Sequence, residues 1–122
     1  MKFSTRIAPP NSLVLLEDPS GGEIPASMNR ALIGSTASCI AVGCRAEDDG
    51  ETEIVLGSAG SVDTGERPVF TGMLQTPSRR LAVRTVHGAL LLEAPVLMVE
   101  TKLKIWVNDP SEPDRIAIGI EQ

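Results

Sequence analysis

Aromatic residues and histidine are scarce in this sequence of 122 residues: tyrosine is absent, and the aromatic side chains are those of Phe3, Phe70 and Trp106. His87 is the single histidine. A catalytic triad or a histidine-based zinc site would have to use it, yet the sequence has neither a Gly-x-Ser-x-Gly elbow nor paired Cys and His ligands. We therefore predict no catalytic residue, no metal site and no cofactor, and we interpret His87 as an exposed turn residue.

Positive charge is also in deficit, with eleven basic side chains against sixteen acidic ones and a net charge of −5. Ten of the acids but four of the bases lie in residues 1–66. Proteins that bind nucleic acid need a basic footprint on the phosphates, so this balance argues against a nucleic-acid partner and favours a basic protein. No apolar run approaches the roughly 20 residues of a membrane-spanning helix, so we expect no membrane partner.

The two cysteines, Cys39 and Cys44, are too far apart to form a disulfide on one straight strand. Their Cα atoms would lie about 16 Å apart, well beyond disulfide range, unless the chain bends at Gly43. The first residues include Arg6 and a proline pair where a signal peptide would need an unbroken apolar stretch. Free thiols in an unexported chain predict a cytoplasmic location.

Apolar residues are plentiful, with 31 leucines, isoleucines and valines, enough to fill the core of a single domain over 1–122. The clearest pattern is strict alternation over 97–107, where odd positions are mostly apolar and even positions include Lys102 and Lys104. Ile116, Ile118 and Ile120 repeat the alternation. Such period-two patterns are typical of antiparallel strands with one buried face, and we expect these two strands to be neighbours.

Further strands are predicted from short β-prone runs between turn residues: 13–16, buried on both faces, then 38–46, 52–57, 68–74, 80–86 and 89–93. Asp49-Gly50 lies between the second and third of these runs and predicts that they form a hairpin. One short helix is expected near 25–33, since Ile24, Met28 and Leu32 recur every four residues. The expected fold is mainly β, an antiparallel β-sandwich of about eight or nine strands; a closed β-barrel is the alternative.

Acidic residues are densest at the predicted hairpin tip, where Glu47, Asp48, Asp49, Glu51 and Glu53 fall within seven positions. This cluster is either a solvated turn or a surface whose negative potential steers a basic protein. A second group, Asp109, Glu112 and Asp114, is interpreted as an ordinary turn whose side chains bond their own backbone.

Trp106 is the other candidate contact residue for a partner. Its even position places it on the face of the strand that carries Lys102 and Lys104. A tryptophan on that face is either covered by a loop or helix, or exposed as an interface anchor.

The order of these elements resembles the bacterial competence nuclease-inhibitor family. The resemblance consists of a β-run ending in Leu16-Glu17-Asp18-Pro19, a short helix, the run Ile54–Gly57, a long strand with Leu103–Trp106 and a closing isoleucine strand. Members of that family are small acidic β proteins that bind and silence a DNA-entry nuclease. The resemblance implies a β fold and an inhibitory function, and it assigns no binding residues.

Three functions are compatible with the sequence. The first is an acidic protein-binding module that neutralises a basic partner, as an immunity protein or nuclease inhibitor does. The second is a structural subunit that oligomerises through its sheet edges. The third is an enzyme or small-ligand carrier, which the scarcity of suitable titratable groups disfavours.

Overall fold

The computed structural model describes residues 2–122 and contains ten strands and one four-residue helix. The strands are β1 (Lys2–Ile7), β2 (Leu13–Glu17), β3 (Ile33–Ser35), β4 (Cys39–Gly43), β5 (Thr52–Ser58), β6 (Phe70–Gln75), β7 (Arg80–Thr85), β8 (Leu90–Pro95), β9 (Glu100–Val107) and β10 (Arg115–Glu121), and the helix is α1 (Ala59–Val62). No helix in the described part of the chain has the length and apolar character needed to cross a bilayer.

The strands form two five-stranded sheets, which we name sheet A and sheet B. Sheet A has the order β1-β5-β10-β9-β6, and sheet B has the order β3-β4-β2-β7-β8. The predicted β-sandwich is confirmed, and the barrel alternative is wrong, because the sheets remain separate. One pair departs from the antiparallel expectation: β5 and β10 run parallel, with Ile54 beside Ile116.

Alternating apolar residues place the core between the two sheets. Leu103 and Ile105 of β9 and Ile116 and Ile118 of β10 point inward and are fully buried. The two strands pair antiparallel, as the alternation predicted. In sheet B, Leu16 of β2 faces the same core. Burial of these side chains is the main source of stability, at roughly 1.5–3 kcal/mol for each large apolar side chain.

The outer face of sheet B is also partly covered, which explains why β2 is buried on both faces. Leu15, Cys39 and Ala41 form a small cluster beneath Met28 and Val86. Both cysteines are free, as predicted, and both are buried. Burial, with a smaller contribution from the charge of Glu17, raises the pKa of the Cys39 thiol to about 12, so this thiol stays protonated and unreactive at neutral pH.

The helix predicted near 25–33 is wrong in its position. This segment is irregular, and the helix of the structure is α1, after β5. Asn29 and Arg30 adopt left-handed backbone conformations, with φ of 51° and 62°, and such residues interrupt a right-handed helix. The four-residue spacing does not mark one buried face, since Met28 packs on the outer cluster of sheet B whereas Ile24 is 54% exposed.

The hairpin predicted between 38–46 and 52–57 is also wrong. Both runs are strands, but β4 lies in sheet B and β5 in sheet A. The chain between them forms a short 3-10 turn at Glu47–Asp49 and crosses from one sheet to the other. The predicted runs 80–86 and 89–93 form an antiparallel hairpin of β7 and β8, and His87 is an exposed turn residue between them, as predicted.

Asp18 fastens two connections at the end of β2. It is 1% exposed, and its carboxylate accepts hydrogen bonds from the backbone N–H and hydroxyl groups of both Ser20 and Ser78. Burial alone would raise the pKa of this carboxyl, but the four hydrogen bonds outweigh burial and lower the pKa from 3.8 to about 2. The ionised carboxylate of Asp18 is therefore the form that stabilises the two connections.

We expect the fold to lose about 2 kcal/mol of unfolding free energy as Asp18 becomes protonated. The folded-state pKa lies below the unfolded value, so this contribution is complete above about pH 4 and disappears as the pH falls toward about 2. Denaturant unfolding at both ends of this range would measure it. The variant Asp18→Asn should start less stable and lose less on acidification; an equal acid loss in both proteins would contradict the assignment.

Candidate functional site

The connections β4–β5 and β9–β10 meet at one end of the sandwich, which we name the acidic end. They meet because β5 and β10 are parallel neighbours whose first residues lie side by side, with Glu53 opposite Arg115. The backbone N–H of Glu53 donates to the carbonyl of Asp114 at 2.8 Å, and that of Arg45 donates to the carbonyl of Pro113 at 3.0 Å. The carboxylates of the acidic end are those of Glu47, Asp48, Asp49, Glu51, Glu53, Asp109, Glu112 and Asp114.

Four of the five carboxylates predicted at the hairpin tip are exposed. Glu47, Asp48 and Asp49 occupy the 3-10 turn, and Glu51 follows Gly50. Gly50 has a φ of 120°, a conformation that side chains disfavour, and a Cβ atom there would lie 2.5 Å from Nη2 of Arg45. The glycine therefore lets the chain turn closely over the arginine while the acids remain in solvent.

Arg45 holds the two connections together. Its Nη2 donates to the carbonyl of Glu51 at 2.6 Å, and its Nη1 lies 3.8 Å from Oδ2 of Asp114. The shorter of these contacts goes to the backbone carbonyl of Glu51, so Arg45 does not pair with the side-chain carboxylate of that residue. The guanidinium thus fixes the shape of the acidic end while neutralising little of its charge.

Glu53 differs from the other four acids because it is half-buried and paired. Its Oε1 accepts a hydrogen bond from Nε of Arg115 at 3.0 Å, across the parallel strands. This pair stabilises the register of β5 on β10, although a partly exposed ion pair contributes only about 1 kcal/mol or less. Glu53 is thus the least exposed of the five acids.

The second acidic group lies in a structured turn, as the sequence predicted. Oδ1 of Asp109 accepts hydrogen bonds from the backbone of Ser111 and Glu112 and from the Ser111 hydroxyl. Hydrogen bonds from Glu112 and Ser111 hold the pKa of Asp109 below its usual value, so the group stays ionised. The turn therefore contributes fixed negative charge beside that of the β4–β5 connection.

The balance of charge at the acidic end exceeds that of the whole protein. Residues 45–53 and 108–115 hold eight carboxylates and two guanidinium groups, a balance of −6 against −5 for the chain. Within residues 2–122, no group of three or more His, Cys, Asp or Glu side chains is arranged to hold a metal ion. The acidic end is therefore a charged surface supported by the ends of four strands.

Trp106 lies on the outer face of sheet A and is 3% exposed. It packs with Val55, Val62 and Ala117 beneath α1, and its Nε1 donates to the carbonyl of Glu66 at 3.0 Å. Of the two alternatives, the covered tryptophan is correct. The edge of the indole reaches a shallow cavity that is lined by Thr64, Glu66, Val107, Asn108 and Arg115.

Sequence reasoning missed the residues that unite the two acidic groups. No local pattern marks Arg45 or Arg115, and Asp109, Glu112 and Asp114 lie far along the chain from the β4–β5 connection. The sequence carries no local signal for this juxtaposition, because it depends on the parallel pairing of β5 with β10, two strands that are distant in the chain.

Structural comparison finds two solved proteins with this fold. The crystal structure of ComJ, inhibitor of the DNA-degrading activity of NucA, from Bacillus subtilis matches with a TM-score of 0.71. That match covers 100% of this chain and 97% of ComJ, at 10% sequence identity. The product described as crocagin biosynthetic gene J matches with a TM-score of 0.51 and 12% identity, over 97% of this chain and 94% of that one.

No family model and no curated protein sequence matches the chain. The resemblance to the competence nuclease-inhibitor family is nevertheless confirmed at the level of the fold, since this chain and ComJ share their architecture from end to end. At this low identity the likeness concerns the backbone, and the side chains of any binding surface must be argued from this chain itself.

Proposed function

We propose that the protein is a cytoplasmic inhibitor of a DNA-degrading nuclease and not itself an enzyme. The observation that carries the proposal is the full-length match to ComJ, a nuclease inhibitor of nearly the same length. The acidic end supports it independently, because a nuclease must attract the DNA backbone and therefore presents a positively charged cleft. A protein that concentrates its negative charge at one end suits such a cleft.

The mechanism that these features support is occlusion of the nuclease cleft. The exposed carboxylates of Glu47, Asp48, Asp49 and Glu51 would lie where the enzyme otherwise receives phosphates. They are carried by a connection that backbone hydrogen bonds and Arg45 hold in place, so little ordering is needed on binding. Long-range attraction between the acidic end and the basic cleft would accelerate the encounter of the two proteins. Closer contacts at the rim of the cleft would set the rate of dissociation.

The experiment that tests this function is a titration of nuclease activity. A lysate of cells that produce the protein is passed over a cation exchanger, and the basic proteins that it retains are collected. Purified protein is added to this basic fraction, and cleavage of linear DNA is followed. We expect cleavage to fall to a stoichiometric end point. NucA is titrated in parallel as a second nuclease. Unchanged cleavage in the cognate fraction at a large excess of the protein would refute the inhibitor function.

A DNA-binding control separates inhibition of the enzyme from protection of the substrate. The protein should not shift linear DNA in a gel at the concentrations that stop cleavage, because its net charge opposes contact with phosphate. A shift of the DNA at those concentrations would mean that the loss of cleavage comes from coating of the substrate.

A further inference from the structure

The outer strands of the two sheets differ in how they are protected from pairing with another chain. Edge strands are usually blunted by charge, by proline or by shortness, since an open edge is a template for a further strand. Here β1 carries Lys2 and Arg6, β3 has three residues, and β8 contains Glu93 and ends in Pro95. The fourth edge, β6, has the sequence FTGMLQ and none of these protections.

The uncharged stretch of sequence extends beyond β6 on both sides of the strand. Residues 68–78 contain no acidic or basic side chain, although 22% of the chain is charged. Thr71, Met73 and Gln75 point to the outer face of sheet A and are exposed, whereas Leu74 points into the core. Met73 is 51% exposed and borders a shallow hollow with Ala37, Leu74, Gln75 and Glu100. The edge is therefore uncharged, and the segment at Ala37 covers it only at its Gln75 end.

Backbone geometry leaves hydrogen-bonding groups of β6 directed away from the sheet. The N–H of Thr76 donates inward to Val99, and the N–H of Gln75 donates outward to Ala37. Because direction alternates along a strand, the N–H and C=O groups of Thr71 and Met73 also point outward. Within residues 2–122, no other strand of sheet A lies on that side. Two residues thus offer a pair of donors and a pair of acceptors to an added strand.

We propose that β6 pairs antiparallel with β6 of a second copy of this chain, forming a two-fold symmetric dimer with a ten-stranded sheet. Thr71 of each copy would face Met73 of the other, so that the outward N–H and C=O groups of both residues are hydrogen-bonded. Gly72 of one copy would then face Gly72 of the other. At such a non-hydrogen-bonded position the backbones approach closely, to about 4.5 Å between Cα atoms.

The second copy is the favoured occupant because the edge is complementary to itself. An uncharged strand of matching length is what β6 requires, and β6 itself supplies one, so pairing buries no unpaired charge. β6 begins beside Ile105, near the acidic end, and finishes beside Glu100, at the opposite end of the sandwich. Antiparallel pairing of two copies therefore places their acidic ends on opposite sides of the dimer. Repulsion between the strongest charges is thereby minimised.

The dimer is tested by sedimentation of the pure protein over a concentration series from micromolar to millimolar. The mass should rise from 12.9 kDa toward twice that value and no further, because an isologous interface closes at two copies. Met73→Lys should keep the protein at the monomer mass throughout. A wild-type protein that stays monomeric at the highest concentration, or that continues to larger multimers, would overturn the proposal.

Leu90→Lys is a matched control on the opposite edge. Leu90 is 54% exposed at the start of β8 and lies opposite Arg84, while Met73 is 51% exposed and lies opposite Lys102. Each variant therefore adds a lysine beside a base on an edge strand. Leu90→Lys should dimerise like the wild type; if it abolishes the dimer while Met73→Lys does not, β6 is not the interface.

Hydrogen exchange on the wild type supplies a readout that needs no variant. The amides of Thr71 and Met73 should exchange more slowly as the concentration rises, whereas those on the outer edge of β8 should be unaffected. Exchange at Thr71 and Met73 that is independent of concentration, under conditions where the mass doubles, would exclude β6. None of these measurements involves a nuclease, so the dimer and the inhibitory function fail or succeed separately.

Discussion

Neutralising three exposed carboxylates of the acidic end is expected to slow association with the nuclease about tenfold at low salt. The variant combines Asp48→Asn, Asp49→Asn and Glu51→Gln. Among residues 2–122, none of these three side-chain carboxylates accepts a hydrogen bond or forms an ion pair, so their replacement should leave the fold unchanged. The rate constant from stopped-flow mixing, measured over a range of ionic strength, reports the effect.

The salt dependence distinguishes steering from a merely local contact. The wild-type association rate should fall steeply as salt screens the attraction, and the rate of the variant should fall less, so that the two converge at high salt.

A second triple variant controls for net charge. Glu23→Gln, Asp63→Asn and Glu100→Gln remove the same number of charges from exposed positions outside the acidic end. Association should remain within about twofold of the wild type. If both triple variants slow association equally, net charge acts without regard to position, and the acidic end is not the binding surface.

Local sequence patterns predicted most of the strands because the physical cause of those strands is local. In β9 and β10 the alternation of apolar and polar side chains directly encodes which face is buried, so both the strands and their pairing were correct. The runs 80–86 and 89–93 likewise predicted β7 and β8, and Gly88 adopts a φ of 88° in the turn between them.

The errors arose where tertiary packing overrides a local pattern. Asp49-Gly50 is a hairpin signal, and Gly50 does take positive φ, yet β4 and β5 separate into different sheets. Ile24, Met28 and Leu32 have helical spacing, but the left-handed Asn29 and Arg30 interrupt it. In both places the deciding contacts are with strands far away in the sequence.

The candidate site was predicted in part. The acidic composition of 47–53 is visible in the sequence, and the exposure of Asp48 and Asp49 agrees with the prediction of a solvated turn. The pairing of Glu53 with Arg115, and the approach of Asp114 to Arg45, depend on the crossing between sheets and could not be read from spacing. The role of the acidic end as a contact surface stays a prediction.

Truncating Trp106 is expected to cost about 3–5 kcal/mol of unfolding free energy. The side chain is 3% exposed, packs with Val55, Val62 and Ala117, and lies so close to Gly119 that a Cβ atom there would be 2.9 Å from the ring. Trp106→Ala would leave a cavity beneath α1 and an unpaired carbonyl at Glu66. Denaturant unfolding followed by circular dichroism measures the loss, and the single indole gives the wild type a fluorescence probe.

Trp106→Phe separates a structural role from a contact role. Phenylalanine fills most of the space but loses the hydrogen bond to Glu66, so we expect a smaller loss of about 1–2 kcal/mol and an intact fold. Because the indole face is covered, nuclease inhibition by the folded variant should stay close to that of the wild type. A large loss of inhibition without loss of stability would mean that Trp106 contacts the partner through the cavity beside Arg115, and that the binding surface extends from the acidic end onto sheet A.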